Sequence, residues 1–168
     1  MKWTEGHIHL AMRQILIAQG WSLIAGELPG GSDHDLYPLN VVDPALARDR
    51  SPDPRRHSLG ELIPDLVALR GRDLFIGEAK VNYNASDREK LELLTSQRRE
   101  HLLAALRTFA KERRIPNLLP TETLSLRPTL VFRANSSIIP PPNGALSYLR
   151  IVSPTSAFFE GSLKATNV

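Results

Sequence analysis

The chain has 168 residues, 42% of them hydrophobic and 23% charged, with a formal net charge of +3. Such values fit one folded domain with its own core and exclude disordered, fibrous and collagen-like classes. The absence of cysteine excludes disulfides and thiolate metal sites, and no stretch is apolar over the length of a membrane span. The opening Met1-Lys2-Trp3-Thr4-Glu5 lacks the apolar run of a signal peptide, so the expected location is cytoplasmic. Lys2, Lys80, Lys90, Lys111 and Lys164 are the only lysines among the 21 basic residues. The arginine excess suits bidentate phosphate contacts, and it equally fits a genome rich in arginine codons.

In chain order, residues 4–19 have the spacing of an amphipathic helix, with Ile8, Met12, Ile15 and Leu16 on one stripe, Thr4 as cap and Gly20 as stop. Trp21–Leu28 reads as a strand ending at Pro29-Gly30-Gly31. Residues 29–61 read as a long irregular insert rich in Pro, Asp and Arg; loops of that length are functional or disordered. A hairpin follows at about 62–82. Ser86-Asp87-Arg88-Glu89 matches a capping box, opening a helix expected to run to about residue 113 on the stripe Leu91, Leu94, Leu102, Leu106, Phe109 and Ala110. Thr129–Ala134 reads as a strand, Pro140–Gly144 as a break, and Ser147–Val152 as a last short strand. No internal repeat or second domain is visible, so residues 1–168 are expected to form one domain.

The hairpin is the most informative segment. Two apolar runs flank Arg70-Gly71-Arg72-Asp73, and Gly is what a tight turn requires. A two-residue loop at Gly71–Arg72 sets Asp65 directly opposite Glu78; a three-residue loop at 71–73 would oppose Asp65 to Ala79 and turn Glu78 to the other face. Facing carboxylates repel unless a cation lies between them. Lys80, two residues past Glu78, is expected on the same face. The plain alternative is an edge hairpin with ordinary surface charges.

Pro64-Asp65 followed by Glu78-Ala79-Lys80, in this order of elements, resembles the PD-(D/E)XK nuclease superfamily. The resemblance implies an α/β fold with a restriction-endonuclease-like core, α-β-β-β-α-β, its central mixed sheet flanked by helices. It also implies a Mg²⁺-dependent nuclease, Mn²⁺ substituting, that hydrolyses DNA phosphodiester bonds to leave a 5′-phosphate. Restriction, phage defence and repair are the expected settings. Asp65, Glu78 and the Ala79 backbone carbonyl would be the metal ligands. Lys80 would position the attacking water, or deprotonate it if its pKa were lowered. By the same resemblance Glu5 is a candidate to complete the site from the first helix, and Gln97 is one from the long helix. Glu5 has a plain reading as well, as a first-turn acid favoured by the helix dipole.

Weaker candidates complete the reading. His9 shares a helix face with Glu5, and Glu27, on the expected strand Trp21–Leu28, is a candidate to approach the metal. Gly31-Ser32-Asp33-His34-Asp35 has metal-ligand residue types but reads better as a turn. Arg55 and Arg56, with Arg48 and Arg50, make the insert basic. Arg98, Arg99, Arg107, Lys111, Arg113 and Arg114 give the long helix a basic face able to follow a phosphate backbone, or simply a solvated one. Expected partners are DNA, a second copy of the chain, or a subunit that supplies specificity, and no membrane. The competing function is a non-catalytic nucleic-acid-binding or assembly module on the same fold.

Overall fold

The computed structural model describes residues 2–31, 35–42, 61–136 and 139–163. Helix α1 (Glu5–Ala18) starts where expected because Thr4 and His7 cap each other. The Thr4 hydroxyl accepts the His7 N–H at 3.3 Å and His7 Nδ1 accepts the Thr4 N–H at 3.1 Å. Strand β1 (Ser22–Gly26) is shorter than the expected 21–28. Two residues of the insert, β2 (Val41–Val42), pair with β3 (Glu61–Leu62) in a small separate sheet. Then come β4 (Leu66–Arg70), β5 (Asp73–Ala79), α2 (Ala85–Thr95), α3 (Arg99–Glu112), β6 (Ser125–Arg133), β7 (Ser147–Ser153) and β8 (Ser156–Gly161). The main sheet has the order β1-β4-β5-β6-β7-β8, with β5, β6 and β7 parallel and the remaining neighbours antiparallel. The class is therefore α/β, a mixed six-stranded sheet flanked by helices.

Side-chain alternation divides the core between the two faces of the sheet. Leu66, Ala68, Phe75, Ala79, Val131 and Leu149 pack under Ile8, Met12 and Leu16 of α1. Val67, Leu69, Leu74, Ile76, Leu130 and Phe132 face Leu91 and Leu94 of α2 and Leu102, Leu106 and Phe109 of α3. Leu39 and Val41, from the stretch expected to be irregular, are buried in this second layer. Among the described residues no helix is long and apolar enough to cross a membrane.

Four local expectations need correction. The helix at 86–113 is two helices, because Thr95 Oγ1 and Ser96 Oγ bond back to the carbonyls of Leu91 and Glu92 at 2.9 and 2.5 Å and compete with the backbone ladder. The cap of α2 is Asn84, whose Oδ1 accepts the Asp87 N–H at 3.0 Å, not Ser86. Strand β6 begins at Ser125 and runs through Pro128. Ser125 N–H bonds Arg72 O and Lys80 N–H bonds Val131 O, so odd-numbered residues bond β5 and Pro128 points toward β7. The β7 ladder starts only at Thr129, so the proline deprives no neighbour of a donor. Finally, Ser147–Ser153 is not the last strand. It turns back into β8, an edge strand tied by Arg150 Nη1 to Glu160 Oε1 at 2.8 Å.

Gly77 sits where β5 passes beneath α1. A Cβ there would lie 2.5 Å from Cε1 of Phe75, whose ring is fully buried near Met12 and Trp21. Gly77→Ala is therefore expected to destabilise the protein by about 1–3 kcal/mol through overpacking, read as a lower urea midpoint with an unchanged m-value.

Candidate functional site

The site begins at the turn. Gly71 has φ +61 while Arg72 stays at negative φ, as a type II′ hairpin requires. The ladder pairs Arg70 with Asp73 and continues to Leu66 opposite Gly77. The two-residue loop is thus the one formed, and the next facing positions are Asp65 and Glu78. Asp65 lies just outside β4, and its Oδ2 accepts the Ala79 N–H at 2.8 Å. Glu78 is 3% exposed.

A cation does lie against this pair. Lys90, from the second turn of α2, places Nζ 2.6 Å from Glu78 Oε1 and 2.6 Å from the carbonyl of Ile63. Burial, reinforced by the charge of Asp65, nevertheless pushes the Glu78 carboxyl up to about 9, with Lys90 opposing. Lys80 does not join Glu78. It follows the last residue of β5, and its Nζ crosses to the α1 side to donate to Glu5 Oε1 at 2.9 Å. That hydrogen bond raises the Lys80 pKa, so the lowered pKa expected of a base is not found.

His9 completes the cluster on α1. It is 1% exposed, with Nε2 3.7 Å from Asp65 Oδ2 and 3.9 Å from Glu5 Oε1, and neither ring nitrogen makes a hydrogen bond. Burial lowers its pKa against the pull of Asp65 and Glu5. Asp87, in the first turn of α2, is felt by Lys80, Asp65, Lys90 and Glu5. Burial raises its pKa, and its Oδ2 also lacks a hydrogen bond.

Asp65 and Glu78 therefore meet at the carboxyl end of β5, beside the parallel strand β6, while Lys80 and Glu5 pair on the α1 side. Open sheets place ligand crevices at such strand ends. Gln97 is not among them. It is exposed in the break between α2 and α3, beyond Thr95, which lies about 12 Å along the axis from Asp87. Glu27 directs Oε1 toward the Gly31 turn, 3.6 Å from where a Cβ would stand. Arg98 and Arg99 open α3 and are partly buried, Arg107 pairs with Glu122 at 2.7 Å, and Arg113 stacks on Tyr37 at 3.5 Å. Arg48, Arg50, Arg55 and Arg56, and residues 32–34 of the Gly31–Asp35 run, lie outside the described residues.

Asp87 and Lys90 were not singled out from the sequence, yet a signal existed. Asp87 falls four residues before Leu91 and Lys90 four before Leu94, which puts two charges on the buried stripe of α2. Charges on an apolar stripe need partners. Comparison with family models, curated proteins and solved structures returns no match to this chain.

The Glu78 carboxyl carries a testable pH dependence. Its proton leaves near 4.5 in the unfolded chain and near 9 in the fold, so folding takes up a proton between those values. Its contribution is fully present below 4.5 and is lost as pH rises through 9, by up to about 1.4 kcal/mol per pH unit. In chelator, Glu78→Gln should match the wild type near pH 4.5 and exceed it in chemical denaturation at about pH 8. A wild type more stable than Glu78→Gln at the higher pH would mean that the Lys90 ion pair outweighs burial.

Proposed function

We propose that this chain is a metal-dependent nuclease that hydrolyses DNA phosphodiester bonds, with its sheet and helices forming a restriction-endonuclease-like core. The observation that carries the reading is the facing of Asp65 and Glu78 at the carboxyl end of β5, with the Lys90 ammonium 2.6 Å from Glu78. The donor set fits a hard divalent ion. Two carboxylates converge, the ammonium of Lys90 stands where positive charge is needed, and Asp87 Oδ2 is a buried acceptor without a hydrogen bond. In an extended strand the C=O of a residue points the same way as its N–H, so the Ala79 carbonyl is directed to the side on which Asp65 accepts the Ala79 N–H.

Asp65, Glu78 and the Ala79 carbonyl would hold Mg²⁺ or Mn²⁺. When bound, the ion supplies Lewis-acid stabilisation of charge developing on the scissile phosphate. The chain's own groups do the rest. Lys80, 40% exposed, is reachable from solvent, and its pairing with Glu5 keeps it an ammonium. In that form it hydrogen-bonds the attacking water and attracts the phosphate oxygens, a positioning and electrostatic role rather than that of a base. Glu5 Oε1, 2.9 Å from Lys80 Nζ, is an acceptor for a water held by that amine.

A second reading, a nucleic-acid-binding or assembly module without turnover, draws on the Lys90–Glu78 pair, which partly neutralises the central acid from within. One assay separates the two. Supercoiled and linear DNA, with single-stranded RNA as a parallel substrate, are incubated with Mg²⁺ or Mn²⁺ and the wild type, Asp65→Asn or Lys80→Ala. The expected result is DNA cleavage by the wild type and a loss of about a hundredfold or more in each variant. Cleavage that survives both substitutions would sink the mechanism, cleavage of RNA alone would change the substrate, and no cleavage at all would favour the binding module.

A further inference from the structure

Glu5 and His9 lie one turn apart on α1 and so share a face. Asp65 meets them from the start of β4. One ligand atom from each residue lies within 4.8 Å of the other two. An ion with bonds of about 2.1 Å holds its ligand atoms roughly 3.0 Å apart at right angles and roughly 4.2 Å apart in opposition. The separations from His9 Nε2, 3.7 Å to Asp65 and 3.9 Å to Glu5, fall between.

A cluster of acids alone would prove nothing, but the imidazole is an independent observation. It is 1% exposed, aimed between two carboxylates, and without a hydrogen bond at either nitrogen. Buried polar groups are rarely left so, because removal from water must be compensated locally. The pattern Pro64-Asp65 with Glu78-Ala79-Lys80 contains no histidine. Oxygen-only sites suit Mg²⁺, whereas an imidazole nitrogen favours the borderline first-row transition ions.

We infer that His9 Nε2 is a metal ligand and that, with Glu5 and Asp65, it makes a mixed nitrogen–oxygen centre that selects a first-row transition ion over Mg²⁺. This rests on the metal-dependent reading of the site above and narrows its ion. Lys80 now holds Glu5 Oε1, so binding would require its amine to leave that oxygen. A half-exposed lysine on a flexible stem can do so, and its ammonium then points to solvent and any phosphate arriving there.

The test uses the full chain and Mn²⁺ as probe. Mn²⁺ and Mg²⁺ are titrated calorimetrically into wild type, His9→Ala and His9→Leu, and ¹⁴N coupling to bound Mn²⁺ is read by pulsed electron paramagnetic resonance. His9→Leu keeps the buried volume where alanine fails to fold, and the wild-type spectrum stands without either variant. The expected result is Mn²⁺ affinity about tenfold or more above that for Mg²⁺, imidazole coupling in the wild type, and loss of both in the variants. Absence of nitrogen coupling in the wild type, or unchanged Mn²⁺ affinity in a folded variant, overturns the inference. Nitrogen-coupled Mn²⁺ without DNA cleavage removes the nuclease reading and leaves the ligand assignment. Cleavage without nitrogen coupling does the reverse.

Discussion

The two-residue turn at Gly71–Arg72 closes with φ +61 at the glycine, and strand alternation carries that choice to the far end of the hairpin. One residue more in the loop would set Asp65 against Ala79 and send Glu78 through to the α1 face. The tip is anchored as well as closed. The Arg72 guanidinium reaches the carbonyls of Asn117 and Pro120 at 2.7 and 2.8 Å and Thr123 Oγ1 at 2.7 Å. Ser125, the first residue of β6, bonds the Arg72 carbonyl at 2.7 Å. The turn that aligns the acids thus also sets where β6 starts, and with it the parallel edge along which the site opens.

Around that register the charges are divided between the two helix layers. Helix α1 contributes Glu5 and His9, α2 contributes Asp87 and Lys90, and the sheet contributes Asp65, Glu78 and, just past its end, Lys80. Glu78 descends on the α2 face and is answered by Lys90; Lys80 turns to the α1 side and is answered by Glu5. Four acids gathered beside two lysines would disperse on a mobile surface. They stay because each stands on an element fixed by apolar packing elsewhere, Met12 and Leu16 below α1 and Leu91 and Leu94 below α2. The core holds in place an electrostatic arrangement that would not form by itself.

Much of this was legible in the residues, and the failures have physical causes. The amphipathic first helix, its Thr4 cap and the hairpin register follow from local rules of spacing and turn chemistry. The break at Ser96–Arg98 did not, since it comes from hydroxyls bonding back to the preceding turn while the apolar stripe continues unbroken across it. Pro128 hid half of β6, because whether a proline is tolerated depends on which neighbour its nitrogen faces. Leu39 and Val41 lay in a segment whose composition spoke of a loop, although their burial depends on partners on α3 distant in sequence. For the site, Asp65, Glu78 and Lys80 were visible as a pattern. His9 was legible only as a neighbour of Glu5 on α1, since its burial depends on how that helix packs on the sheet.

The pairing of lysines with acids bears on how the proposed site would take an ion. A buried carboxylate facing another is costly, and a rigid internal counter-charge would satisfy it permanently. Here both counter-charges are ammonium groups on long stems, Lys80 40% and Lys90 25% exposed, rather than guanidinium forks locked by several bonds. Together they carry the charge of one divalent cation. On the metal-dependent reading proposed above, exchange for such an ion would draw off the Glu78 proton, held up to about 9 without it, and would free two ammonium groups toward solvent. An anionic polymer arriving at the carboxyl end of β5 would then meet those released ammoniums first. On that reading the two lysines paired with the acids would become attractors for a phosphate backbone once the acids held an ion.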